Sequence, residues 1–175
     1  MKSRKSTAKT VVVSELSLEA FRPFGQYAAM INPSETKLGQ PPVEFFRDML
    51  QQPVGSSGQL SFSTCRVETR KPVIDVSEYH MACAEGILPL DGDALIHVAP
   101  ATPVGAPFPA ENVMVFRVPQ GTLVVLRPGV WHHAPFTCSK EPVNVLIILP
   151  ERTYAIDCEV LELKGNKQIP IKGTR

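Results

Sequence analysis

The segment EYHMACAEGILPLDG, residues Glu78–Gly92, carries the spacing of acidic and imidazole side chains that decides the fold. Glu78 and His80 are two residues apart, so on a β-strand their side chains project from the same face. Glu85 and Gly92 complete the pattern E-x-H-x4-E-x6-G. We expect these side chains to line one pocket inside a β-barrel. The open alternative is that Glu78 and Glu85 are surface residues and that His80 is a hydrogen-bonded core histidine.

A second polar block, RPGVWHHAPF, lies further along the chain at Arg127–Phe136. Its Gly129 and His132 form a G-x-x-H pattern. Adjacent residues of a strand point to opposite faces, so only one of His132 and His133 enters a given pocket. We predict that His132 joins the pocket of the first segment. His133 is expected on the packing side with Trp131, and the alternative is that it contacts a substrate.

Short apolar runs make up most of the remaining sequence. Seventeen prolines and eleven glycines separate runs rich in Val, Ile, Leu, Phe and Tyr, including Thr10–Leu16 and Tyr154–Leu163. This pattern predicts an all-β fold, an antiparallel sandwich or barrel. Two short helices are predicted near the N-terminus, one at Ser17–Gly25 with Ser17 as its N-cap and one at Val43–Gln52. Asn32–Pro42, between them, is predicted to be a loop.

Length and composition indicate an ordinary globular protein. The 175 residues are 43% hydrophobic and 20% charged, so we expect one domain over residues 1–175, with residues 1–9 a disordered basic tail. The net charge of +1 gives no electrostatic reason to expect a nucleic-acid partner. No apolar run is long enough for a membrane helix, so no membrane partner is expected. The four cysteines lack C-x-x-C spacing and are predicted to be reduced, which favours a cytoplasmic protein.

The two polar blocks resemble the two sequence motifs of the cupins, which fold as double-stranded β-helix barrels. In cupins, four positions of these motifs hold a divalent metal inside the barrel, and here they correspond to Glu78, His80, Glu85 and His132. Glu78 stands where a cupin usually has its first histidine. Two imidazoles and two carboxylates suit Ni, Mn, Fe or Zn. A metal-free barrel that uses the same groups as acids and bases is the alternative.

A closer resemblance covers roughly residues 16–163. The order of four segments is similar to that in the ureidoglycolate lyase family, also called ureidoglycolate hydrolases, and VWHH is the most specific match. The chain departs from the family pattern at Tyr79, at Glu85 and over Leu126–Gly129. The four segments are SLEAFRPFGQ, EYHMACAEGILPLDG, VWHHAPF and AIDCEV.

The resemblance implies a lyase that splits ureidoglycolate into glyoxylate and urea, in the recovery of nitrogen from purines and allantoin. The metal would then lie on the four cupin positions, and Glu85 and His132 would also serve as catalytic acid and base groups. Substrate contacts are expected from Arg66, Tyr79, Arg127 and His133. Three alternatives to this activity stay open. The protein could be a family member with a different hydroxy-acid substrate, a cupin dioxygenase or sugar isomerase, or a non-catalytic barrel that binds a small molecule.

Three placements remain open. Arg66 either anchors a substrate carboxylate or lies outward on its strand, and Arg127 has the same two alternatives. His97 is either a strand histidine bonded to a neighbour or part of the pocket lining. We also predict a homodimer, with the strand Val11–Leu16 as a candidate for pairing between subunits.

Overall fold

The computed structural model describes residues 9–174, and its strand-rich architecture confirms the all-β prediction. Two α-helices of four residues each are described, α1 (Leu18–Phe21) and α2 (Thr153–Ile156). Neither of them is long or apolar enough to cross a membrane. The strands described are β1 (Val11–Glu15), β2 (Gly25–Ala29), β3 (Lys37–Gln40), β4 (Val43–Phe46), β5 (Leu60–Val67), β6 (Val73–Ile74), β7 (Val76–Tyr79), β8 (Glu85–Pro89), β9 (Ala94–Val98), β10 (Met114–Val118), β11 (Thr122–Leu126), β12 (Phe136–Thr137), β13 (Val143–Pro150), β14 (Glu159–Glu162) and β15 (Ile169–Lys172).

Two larger sheets enclose the interior. One has the strand order β12-β9-β10-β1-β15-β6 and the other the order β2-β11-β8-β13-β5. Inward side chains of both sheets form one apolar cluster, because alternate residues of each strand point to the same side. This interior cluster includes Ile96 and Phe116 from the first sheet and Val124, Leu126 and Val145 from the second.

A second apolar cluster covers the other face of the six-stranded sheet. Leu95 of β9 belongs to this outer cluster, whereas the neighbouring Ala94 and Ile96 belong to the interior cluster. All five residues of β9 are therefore buried, as expected for a strand that is covered on both faces. Trp131 is part of the outer cluster, and the Phe108 ring packs edge-on against it with centroids 5.3 Å apart.

Strand β1 differs from the expected arrangement. It lies between β10 and β15 and is parallel to both, with Val13 opposite Val115 and Val11 opposite Ile171. Both of its edges are therefore paired within the chain. The prediction that this strand is available for pairing between subunits is wrong, and the homodimer itself stays a prediction.

The N-terminal third contains one of the two predicted helices. Helix α1 is confirmed, and the Ser17 hydroxyl caps it by accepting a hydrogen bond from the Ala20 amide at 3.2 Å. The prediction of a second helix at Val43–Gln52 is wrong. The first part of this segment is β4, which pairs with β3 in a hairpin, and β3 lies in the predicted loop. The adjacent Pro41 and Pro42 reverse the chain between two short runs, which can then satisfy each other's backbone groups.

Two further segments depart from the strand prediction. Tyr154–Leu163 begins within helix α2 and becomes strand only at β14. Trp131 and His132 form single bridges to Ala99 and Glu78 respectively, ahead of β12. The predicted basic tail lies outside the described residues except for Lys9.

Candidate active site

Glu85 is the meeting point of the two polar sequence blocks. It opens β8 and lies on the same side of that strand as Ile87, which belongs to the interior cluster. Its Oε2 atom lies 2.8 Å from Nε2 of His132 and 3.1 Å from Nε2 of His80. The Glu85 residue is only 7% exposed. One histidine from each sequence block, His80 and His132, thus shares the same buried carboxylate oxygen.

A backbone bridge holds strand β7 beside the Trp131–His132 segment. The Glu78 amide donates to the His132 carbonyl at 2.6 Å, and the His132 amide donates back to the Glu78 carbonyl at 2.8 Å. This two-bond bridge fixes the side chains of Glu78 and His132 beside each other. One ligand atom each from Glu78, His80 and His132 lies within 4.8 Å of the other two.

Backbone carbonyls determine which nitrogen of each imidazole carries hydrogen. Nδ1 of His80 is 2.6 Å from the Asp157 carbonyl, and Nδ1 of His132 is 2.8 Å from the Val130 carbonyl. A carbonyl only accepts, so both Nδ1 atoms are the protonated donors. The Nε2 atom of a neutral imidazole then presents a lone pair towards the Glu85 carboxylate. Such an arrangement requires a proton between these atoms, carried by an imidazole or by Glu85, or a metal ion.

In the metal-free protein the opposite pKa shifts of Glu85 and His132 favour a proton on an imidazole over one on the carboxylate. Burial alone raises the pKa of the Glu85 carboxyl, but the charge and hydrogen bond of His132, followed by those of His80, lower it to about 2. Burial lowers the pKa of His132, and the opposing charge and hydrogen bond of Glu85 leave it above its ordinary value. The carboxylate of Glu85 is therefore ionised at neutral pH.

The same donor set fits a divalent metal. Two ligands bound at about 2.1 Å and at right angles are about 3.0 Å apart, close to the two Nε2–Oε2 distances at Glu85. Each imidazole already has its Nδ1–H bonded to a carbonyl, which is the usual second contact of a metal-binding histidine. The neighbouring Cys158 is not a thiolate, because burial raises its pKa to about 12. Carboxylates and imidazoles without thiolate favour Mn, Fe, Ni or Zn.

Three residues of the segment after β13 also border the site, and sequence reasoning gave them no role there. The Asp157 carbonyl holds His80, and the Cys158 thiol donates to Oε2 of Glu78 at 3.4 Å. The Tyr154 ring stands edge-on to the His80 ring with centroids 6.3 Å apart. Burial and the nearby carboxylates raise the pKa of Tyr154, so its hydroxyl stays protonated. The segment AIDCEV, which matches the family pattern, contains Asp157 and Cys158, but its sequence does not indicate that these residues contact His80 and Glu78.

Three of the predicted substrate contacts are not brought to this cluster. Tyr79 points to the opposite face of β7, where its ring packs on Trp131 with centroids 4.5 Å apart. Arg66 lies outward on β5, because Cys65 and Val67 on either side of it pack against the interior cluster.

Both arginines have partners elsewhere. The Arg66 side chain is 55% exposed and is paired with Glu68. Arg127 follows β11, is exposed, and donates to the Arg22 carbonyl. The predicted roles of Tyr79, Arg66 and Arg127 in substrate binding are corrected accordingly.

The two remaining histidines lie next to the site on different sides. His133 is half-buried, burial lowers its pKa, and the charge of Glu78 opposes that shift. His97 is buried on the other side, where its Nε2 donates to the Ser77 hydroxyl at 3.2 Å. Ser77 in turn donates to the His132 carbonyl at 3.2 Å, so His97 is a hydrogen-bonded strand histidine behind His132.

Comparison with known proteins gives a family match and several distant structural matches. The family model described as ureidoglycolate lyase matches residues 8–170. A dTDP sugar isomerase from Desulfovibrio desulfuricans G20 is 15% identical, with a TM-score of 0.48 over 82% of this chain and 87% of that chain. The oxalate decarboxylase of Bacillus subtilis, a protein with Mn(II) centres, is 16% identical, with a TM-score of 0.42 over 59% and 24%.

The oxalate decarboxylase of Lactobacillus farciminis, in a formate complex, is also 16% identical, with a TM-score of 0.41 over 59% and 26%. The present chain thus spans about a quarter of the length of the decarboxylases that it matches. No curated protein sequence shows a significant match.

Proposed function

Since the chain belongs to the ureidoglycolate lyase family, a family of the cupin fold, we propose that it cleaves ureidoglycolate to glyoxylate and urea. The observation that carries the proposal is the buried Glu85 oxygen, with imidazole nitrogens of His132 and His80 at 2.8 Å and 3.1 Å. A reaction that moves one proton on a small polar molecule needs such a group. The proposed context is the recovery of nitrogen from purines.

The chemistry requires one proton to change place. The hydroxyl oxygen of ureidoglycolate loses its proton, the C–N bond breaks as the aldehyde carbonyl forms, and the leaving ureido nitrogen gains a proton. No proton is consumed overall, so one group that first accepts and then donates is sufficient. We assign this role to Glu85, because its carboxylate oxygen lies at the centre of the cluster, within hydrogen-bonding distance of both imidazoles.

A divalent metal is proposed to lie on the four predicted ligands, Glu78, His80, Glu85 and His132. Glu78, His80 and His132 each offer a ligand atom within 4.8 Å of the others, and their donor types suit Mn, Fe, Ni or Zn. A bound cation would lower the pKa of the substrate hydroxyl and stabilise the negative charge that develops on its oxygen. His132, predicted as both ligand and acid–base residue, keeps the ligand role in this proposal.

The side chains on the solvent side are proposed to orient the substrate. His133 is half-buried near Glu78, and Tyr154 presents a protonated hydroxyl on a residue that is 59% exposed. Both can donate hydrogen bonds to the carboxylate or ureido oxygen of the substrate. The buried cluster behind them limits the access of water, which strengthens polar interactions within the site.

Product analysis tests the proposed activity. The purified protein is incubated with ureidoglycolate, and glyoxylate, urea and ammonia are quantified together. We expect equal amounts of glyoxylate and urea without ammonia, because only the C–N bond next to the hydroxyl carbon is cleaved. Release of ammonia in place of urea indicates a hydrolase instead. No product from ureidoglycolate, with turnover of a related hydroxy acid, would assign a different substrate.

A further inference from the structure

Asp157 and Cys158, which we call the 157–158 clamp, contact both metal-site residues at the end of β7. We propose that they are positioning residues that hold the side chains of His80 and Glu78 in the orientation required to bind a metal. The inference rests on the metal site of the proposed function and extends it to two residues outside the predicted ligand set.

Asp157 bonds the residues that directly follow β7 with both its backbone and its side chain. Its carbonyl accepts the Nδ1–H of His80 at 2.6 Å. Its two carboxylate oxygens accept the backbone amides of Met81 and Ala82, each at 2.8 Å. One residue thereby fixes the ring orientation of His80 and the backbone turn that follows it. Without these contacts, the imidazole could rotate its Nε2 away from the cluster.

Cys158 acts on Glu78, which lies within β7. Its thiol donates to Oε2 of Glu78 at 3.4 Å, which restricts the rotation of that carboxylate. The following strand β14 pairs with β7, with Glu159 opposite Tyr79 and Val160 opposite Glu78. The clamp is therefore fixed to β7 by a backbone ladder as well as by its side chains.

Contacts of this kind have a measurable effect on metal binding. A partner that holds a ligand side chain reduces the freedom that the ligand loses when it binds a metal, and its removal commonly weakens affinity by about 10- to 100-fold. An effect on affinity through orientation differs from an effect on folding. A substitute that makes the same hydrogen bond should restore the affinity.

The test is calorimetric titration of the metal-stripped full-length protein with Mn²⁺ and, separately, with Ni²⁺. Asp157→Asn leaves the backbone amide of Met81 or Ala82 without an acceptor and places the new NH₂ group against it. We therefore expect the affinity for metal to fall about tenfold or more. Cys158→Ala removes the donor to Glu78 and should weaken binding by a similar factor. Cys158→Ser restores a donor and should bind within about threefold of wild type.

Two matched variants control for general damage. Asp91 also accepts a backbone amide with its carboxylate, from Asn144 at 2.7 Å, but in the turn between β8 and β9. Cys138 is a half-buried thiol that packs against the outer cluster. Asp91→Asn and Cys138→Ala should therefore leave metal affinity unchanged. Circular dichroism of every variant verifies that it is folded.

The outcomes separate this inference from the metal site itself. If wild type binds metal and folded Asp157→Asn and Cys158→Ala bind it equally well, the positioning role is overturned alone. If Cys158→Ser binds as weakly as Cys158→Ala, the thiol contributes packing and not a hydrogen bond, which also overturns its role. The two cysteine variants keep the inference testable if Asp157→Asn does not fold. A wild-type protein that takes up neither ion overturns the metal site and this inference together.

Discussion

At the scale of single residues, the site is determined by which atom of each side chain is already engaged. The Nδ1 atoms of His80 and His132 are bonded to carbonyls, so their Nε2 atoms converge on Glu85. The spacing of Glu78, His80 and Glu85 predicted that these side chains lie in one pocket, because alternation along a strand is a local property. The carbonyl partner of His80 could not be predicted, since Asp157 lies 77 residues away in the sequence.

The histidine pair offers a direct comparison of two adjacent residues. His132→Ala removes a buried nitrogen that contacts Glu85, so we expect glyoxylate release to fall by about 100-fold or more and bound metal to be lost. His133→Ala should reduce the rate by less than about tenfold and retain the metal. Metal content and initial rates of both variants check this. Equal losses in both would contradict the opposite orientation of the two side chains.

The ion pair of Glu85 and His132 gives the metal-free protein a defined pH dependence. The folded-state pKa of Glu85 is lowered from 4.5 to about 2, so its stabilisation is present above pH 4.5 and is lost as the pH falls towards 2. The pKa of His132 is raised above 6.5, so its stabilisation is present below pH 6.5 and is lost as the pH rises through the folded value. The pair therefore contributes most between pH 4.5 and 6.5.

Urea unfolding of the metal-stripped protein across pH checks this dependence. Glu85→Gln removes the charge but keeps a side chain of the same shape, so its free energy of unfolding should lose this maximum. If the free energy of unfolding varies with pH in the same way for wild type and Glu85→Gln, the ion pair is not formed in solution.

At the scale of elements, alternation within a strand was predictable, but the partner of each strand was not. The interior and outer clusters take alternate residues of β9, as the apolar run ALIHV allows. The parallel pairing of β1 with β10 and β15 joins segments far apart in the sequence, and no local pattern specifies it. The same limit explains Arg66, Tyr79 and Arg127, whose directions depend on which face of each strand lies inward.

Gly25 shows how closely two elements approach. A Cβ added to Gly25 would lie 2.1 Å from the Val125 carbonyl oxygen, because β2 lies directly against β11. We expect Gly25→Ala to lower the free energy of unfolding by about 1–3 kcal/mol, measured by urea denaturation. Gly58→Ala is the matched control, since its Cβ would meet nothing within 4 Å and should change stability by less than about 0.5 kcal/mol. Equal effects would contradict the close β2–β11 packing.

At the scale of the whole molecule, the two sheets bring the polar blocks to one place while the segment after β13 covers them. The barrel and its central acid–histidine cluster were predictable because two short motifs carry them. The clamp residues Asp157 and Cys158 were not, since they act through contacts across the fold. The family match over residues 8–170 supports the proposed cleavage of ureidoglycolate at this cluster.

The most direct test is the rate of glyoxylate release from ureidoglycolate by a single preparation, measured as purified, after metal removal and after reloading, with metal content determined each time. We predict about one metal per chain in the active samples, a loss of about 100-fold or more on removal, and recovery on reloading with the same ion. Undiminished release from protein shown to be metal-free would contradict the metal-assisted mechanism. Absence of glyoxylate from fully loaded protein would contradict the lyase assignment.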